Sequence, residues 1–153
     1  FKKYYNNISS GDDSVNIKYN SHLNEGSFTE IISSSISKDR FVQYTTKGIH
    51  KDDLEFLIEG NKIKNFGSQG QQKSFLVSLK LAQFEYYKEK FGSSPIVLLD
   101  DIFDKLDQNR VTQIVNILEK NEFGQIFITD THRERVEEAL KHSSNKEEIF
   151  NIE

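Results

Sequence analysis

The sequence predicts an α/β fold, with parallel strands and flanking helices, preceded by an N-terminal lobe that is β-rich and partly helical. Three observations carry this reading. Pro95-Ile96-Val97-Leu98-Leu99-Asp100-Asp101 is an apolar run ending in two adjacent carboxylates, as a buried strand delivering acids to its carboxyl end would be. Gln125-Ile126-Phe127-Ile128-Thr129 is a second run of this kind. Segments of helical periodicity alternate with the two runs, and strand–helix–strand–helix order implies parallel pairing through right-handed crossovers.

The first third is rich in Asn, Ser and Asp and loosely patterned. Val15-Asn16-Ile17-Lys18-Tyr19 alternates apolar and polar residues and predicts a half-buried strand. Glu25-Gly26-Ser27 is a turn, and Phe28 to Ile36 is expected to form a short helix despite Ser33-Ser34-Ser35. Leu54–Ile58 and Lys62–Phe66 flank Glu59-Gly60-Asn61, the pattern of a β-hairpin. These elements make a lobe over residues 1–66, and residues 67–153 make the α/β portion.

In that portion, Phe75, Leu79, Ala82 and Tyr86 fall on one helical face, with Leu76, Val77 and Leu81 adding apolar surface around the first turns. The helix is expected to end near Phe91-Gly92. Asp107 is a natural N-cap for a helix whose Val111, Ile114, Val115 and Leu118 follow the i, i+3, i+4, i+7 rule. Thr131 and Glu134 have capping-box spacing ahead of a last helix through Leu140.

Composition limits the functional classes. The 153 residues suffice for one core, and a net charge of −4 with a pI near 5.6 gives no basic footprint for nucleic acid. With no Cys, disulfides and thiolate metal sites are excluded. No apolar run reaches membrane-spanning length, so the expectation is a soluble, cytoplasmic protein without membrane partners. A chain that opens on Phe1 and contains no Met is expected to be a piece of something larger.

Two features point to chemistry. Ser68-Gln69-Gly70-Gln71-Gln72 opens the long helix with small and amide side chains, an arrangement that can present backbone N–H groups to an anion. Asp100-Asp101 lies at the sheet edge where ligands of open α/β sheets bind. Each has a plain structural alternative: an ordinary capped turn for the first, solvated strand-end acids for the second.

Five short segments, in order, resemble the carboxyl-terminal part of the RecF family, ABC-type ATPases of bacterial recombinational repair. They are Thr46 to Leu54 (TKGIHKDDL), Ser68 to Ser74 (SQGQQKS), Pro95 to Asp101 (PIVLLDD), Phe103 to Asp107 (FDKLD) and Gly124 to Thr129 (GQIFIT). Where the family usually has Pro-His-Arg, this chain has Ile49-His50-Lys51.

The resemblance implies the half of an ABC-type nucleotide-hydrolysing domain that bears the signature motif and the Walker B strand. Ser68, Gln69, Gly70, Gln71 and Gln72 would be the signature, meeting ATP bound by a second, RecF-like protomer. Asp100 would hold Mg²⁺, Asp101 would orient or deprotonate the attacking water, and Asp107 would end the D-loop while also capping a helix. After the last strand the switch position falls on Asp130 or on His132, of which His132 is the candidate. The resemblance further implies ATP-driven dimerisation on double-stranded DNA with slow hydrolysis, and the mediators RecR and RecO as partners. No mechanism attaches to His50, Asp52 and Asp53.

Gly67 to Ser74 superficially echoes the phosphate-loop pattern, but Gln72 stands where glycine is required and no buried strand leads in. The segment alone is therefore expected to lack a Walker A loop and to be inactive. An SMC- or Rad50-type head, or a non-catalytic interaction domain that keeps the architecture, are the alternatives.

Overall fold

The structure is a computed structural model, and it describes residues 1–9, 11, 13–120, 123–141, 143 and 148–151. In chain order its elements are α1 (Lys2–Ser9), β1 (Val15–Asn20), α2 (Phe28–Val42), β2 (Asp53–Ile58), β3 (Asn61–Lys62), α3 (Ile63–Phe66), α4 (Gln69–Phe91), β4 (Val97–Asp100), α5 (Gln108–Lys120), β5 (Ile126–Thr129) and α6 (Arg133–Leu140). Short 3₁₀ turns at His22–Asn24 and Ile49–Lys51 complete the set. The mixed helix–strand architecture with a parallel pair is the α/β class expected. No helix among the described residues is long and apolar enough to cross a membrane.

The chain divides into two compact units, Ser14–Phe66 and a second formed by Phe1–Asp13 together with Gly67–Glu153. The first thirteen residues therefore belong with the α/β portion, an allegiance their Asn-rich composition did not signal. Tyr4, Tyr5 and Ile8 put one face of α1 into the interior of that unit.

In the Ser14–Phe66 unit, β1 pairs antiparallel with β2 along its full length, Val15 opposite Ile58 and Asn20 opposite Asp53. The anticipated hairpin is shorter than its sequence suggests. Only Leu57–Lys62 and Ile58–Asn61 pair across Glu59-Gly60, after which Ile63 turns inward and starts α3. Helix α2 runs six residues past Ile36. Its start is a capping box between Ser27 and Glu30, and its serines satisfy themselves: Ser34 and Ser35 donate to the carbonyls of Ile31 and Ile32.

In the other unit, β4 and β5 run parallel with Val97 opposite Ile126 and Asp100 opposite Thr129. Val77, Leu81, Leu99, Ile102, Phe103, Val111, Ile114 and Leu118 form its core with Tyr4 and Ile8. Helix α4 buries Gly70, Ser74, Phe75, Val77, Ser78, Leu81 and Phe84, whereas Leu76 and Tyr86 are exposed. The buried stripe is thus rotated from the one predicted, because Ser74 and Ser78 point inward. Ser78 can do so because its hydroxyl donates to the Ser74 carbonyl at 2.6 Å. The opposite face of the sheet shows apolar residues: Leu98 is 74% and its register partner Phe127 48% exposed.

Candidate nucleotide site

The tip of α4 is built by its own first turn. Ser68 is extended (φ −60°, ψ 161°), its hydroxyl accepts the Gln71 N–H at 3.2 Å, and the Gln71 amide oxygen accepts the Ser68 N–H at 2.9 Å. This reciprocal capping leaves the remaining first-turn N–H groups at the positive end of a 23-residue helix. Gln71 also donates to Asp13 at 3.0 Å, and Gln72 donates to the Gly67 carbonyl at 2.9 Å. Gln69 is exposed. Gly70 is buried, and a Cβ there would stand 3.0 Å from Arg110 Nη1 and 3.5 Å from the Lys105 carbonyl oxygen. The crowding comes from the end of the Arg110 side chain, while the loop carbonyl is at ordinary contact distance.

Asp100 ends β4 as the alternation of the strand requires, with its side chain exposed and accepting the hydroxyl of Thr129 across the ladder. Asp101 follows in the left-handed region (φ 47°), which Asp adopts more readily than most L residues. Its N–H donates to the Thr129 carbonyl at 3.0 Å and its own carbonyl accepts Lys73 Nζ at 2.8 Å. One carboxylate oxygen, Oδ1, is buried without a partner among the described residues.

The loop closes on Asp107. Its Oδ1 accepts the Arg110 N–H at 3.0 Å and its Oδ2 pairs with Arg110 Nη1 at 2.5 Å, so it caps α5 as expected. Those contacts, the backbone bond foremost, hold its carboxyl below the ordinary aspartate range. At the end of β5 the expected Thr131–Glu134 capping box is not formed. Instead Asp130, its side chain fully enclosed, accepts the His132 N–H at 2.8 Å and pairs with Arg135 at 3.4 Å. His132 occupies the N-cap position with an exposed ring, Nδ1 lying 2.9 Å from Thr131 Oγ1. No cluster of three or more metal-ligating side chains occurs among the described residues.

Three contributors escaped the sequence reading. Thr129 is found only once register sets it opposite Asp100. Arg110 is signalled by its i+3 spacing from a capping aspartate. Lys73 lies one turn beyond Gly70 on the same helix face.

The segment from Thr46 to Leu54 belongs to the other unit, where its polar residues make local hydrogen bonds. Thr46 donates its N–H and hydroxyl to Asp39 at 2.9 and 2.6 Å, Tyr19 donates its hydroxyl to Asp52, and His50 Nε2 contacts the Thr45 carbonyl at 3.2 Å. Asp53 accepts the N–H of Leu54 at 2.8 Å.

No family model matches the chain. The curated DNA replication and repair protein RecF of Flavobacterium johnsoniae is 50% identical over 152 residues, covering 99% of this chain and 42% of that protein. That of Phocaeicola vulgatus is 46% identical over 154 residues. The solved structure of the recombination mediator protein RecF-ATPrS in the RecFOR pathway superposes with a TM-score of 0.62 at 26% identity, over 86% of this chain and 39% of that one. The chain is RecF-like. It corresponds to the carboxyl-terminal part of RecF and spans about 42% of the length of the curated relatives it matches. The structure of RecF-ATP in the same pathway matches with a TM-score of 0.61 at 25% identity.

Proposed function

We propose that this segment supplies the signature, magnesium and water-orienting groups of a RecF-type ATPase acting in DNA repair, recombination and replication-fork maintenance. The observation that carries the reading is the pair of acids at the end of a parallel strand, next to a loop packed against the tip of a capped helix. In this scheme Ser68 to Gln72 bind the γ-phosphate of ATP held by a second protomer, and the N–H groups left free by capping, those of Gln69 and Gly70, count only when the dimer closes. Nucleotide therefore shifts the population toward that dimer on double-stranded DNA. Asp101 orients the water, with Asp shorter than the usual Glu and turnover correspondingly slow. Asp107 carries the D-loop to the interface, and His132, exposed at the tip of α6, serves as the switch. RecR and RecO are the proposed protein partners.

The donor set fits Mg²⁺. That ion is commonly held by one or two carboxylates plus substrate phosphates, so Asp100 needs no further protein ligands and Thr129 can orient it. Bound there, the ion would neutralise phosphate charge. The exposed Leu98–Phe127 face supports completion of the sheet by the rest of the longer protein, since parallel sheets are normally covered on both sides.

The test uses the complete protein. Asp101→Asn should lower kcat for ATP about 100-fold or more while a fluorescent ATP analogue binds within about twofold of wild type. Asp101→Glu should raise the rate. Full hydrolysis by Asp101→Asn would contradict the assignment.

A further inference from the structure

The pattern that mimics a phosphate loop contains a lysine with a different task. Lys73 lies in the second turn of α4, one turn beyond Gly70, and is half-buried. Its ammonium reaches out of the helix to the main-chain oxygen of Asp101, 2.8 Å away, and a charged donor makes this one of the stronger bonds available to a peptide carbonyl. Asp101 sits in the left-handed region with φ 47°, which Asp tolerates better than most L residues but which surrounding contacts still have to hold. Two contacts do so from opposite sides: the Thr129 carbonyl takes its N–H, and Lys73 takes its oxygen. The carboxylate between these two fixed peptide groups has one oxygen buried and without a partner. The two peptide hydrogen bonds thus set where its Cβ points.

We infer that Lys73 is a positioning residue that ties the helix tip to Asp101, fixing the left-handed turn that aims the carboxylate. The inference deepens the hydrolysis reading above and rests on it for its catalytic consequence. Because Lys73 is two residues beyond Gln71, a displacement of the helix tip by a ligand is passed to the Asp101 peptide without an intervening loop. In a dimer whose helix tips serve the opposite site, that link would connect the two sites. Arg110 fastens the far end of the same loop, at Asp107, and is independent of this bond.

The complete protein carrying Lys73→Met tests the inference by two readouts. Without nucleotide, hydrogen exchange at the amides of residues 101–106 should accelerate about tenfold while β5 amides away from the loop stay unchanged. With ATP, kcat should fall about tenfold and KM should stay within about twofold, and Lys73→Arg, which keeps a donor, should recover kcat to within about threefold of wild type. Unchanged exchange, faster exchange with unaltered kcat, or an equal loss in Lys73→Arg and Lys73→Met would each overturn it. Should Lys73→Met not fold, Lys73→Leu, which also lacks a donor, is judged by the same thresholds. Failure of the underlying reading is separable: Asp101→Asn would then hydrolyse ATP normally, whatever exchange shows.

Discussion

Gly70 and Arg110 are in close contact: a Cβ on the glycine would lie 3.0 Å from the guanidinium Nη1, so that the arginine would have to give way by a few tenths of an ångström. Such a shift would disturb the pairing of the same Nη1 with Asp107 at 2.5 Å. Helix tip and loop are therefore fitted to one another, and the glycine of the signature-like segment has a packing reason before any ligand is considered.

A double-mutant cycle measures that fit. Ala in place of Gly in a helix gains up to about 1 kcal/mol from propensity, so Gly70→Ala should be stabilising in the Arg110→Ala background. With Arg110 present the crowding should cancel or reverse the gain, giving a coupling of about 1 kcal/mol in urea unfolding. Equal effects in the two backgrounds would show that the contact carries no energy.

Asp107 caps α5, and Asp107→Ala should cost about 1 kcal/mol in the same measurement. Its carboxyl is held below the ordinary range, so the ionised folded form is favoured. The stability it contributes is present above the ordinary aspartate pKa and lost as pH falls through the lower, folded value. The gap between wild type and Asp107→Asn at pH 7 should consequently narrow toward about pH 3. A constant gap would mean that the charge of Asp107 contributes nothing.

Tyr4 predicts behaviour at the other end of the pH scale. Burial, with Glu85 and Glu89 adding to it, pushes its phenol up to about 12. The unfolded chain loses this proton near pH 10 and the folded chain does not, so the contribution is complete below pH 10 and disappears as pH rises toward 12. Tyr4→Phe should flatten the alkaline loss of stability by up to about 2 kcal/mol between those limits. Parallel alkaline curves for the two proteins would contradict the burial of this hydroxyl.

Much of the α/β unit was legible because its signals are periodic. Val111, Ile114, Val115 and Leu118 fix α5, the apolar runs fix β4 and β5, and their parallel pairing followed from order alone. Helix α1 was not legible, since Tyr4, Tyr5 and Ile8 are a short stripe among Asn and Lys that becomes meaningful only when α4 and α5 lie beside it. The stripe of α4 was misplaced because an inward serine has no hydrophobic signature, and Ser78 is buried by virtue of a bond to Ser74 that periodicity does not encode. Residues 130 to 132 also misled: Thr131 has the right spacing to Glu134, but buried Asp130 takes the His132 N–H and leaves Thr131 beside the imidazole. Asp100 and Asp101 were found from chemistry at a strand end. Thr129, Lys73 and Arg110 needed the register and the packing.

The claim on which the account turns is that the Ser68 tip and Asp101 complete each other's sites across a dimer. The most direct measurement mixes two inactive complete proteins, one carrying Ser68→Arg and the other Asp101→Asn, and follows ATP hydrolysis. In the mixed dimer one composite site keeps both an intact tip and an intact carboxylate. Activity should return to about a quarter of the wild-type rate by random pairing of two-fold dimers. A mixture as inactive as its components would contradict the account.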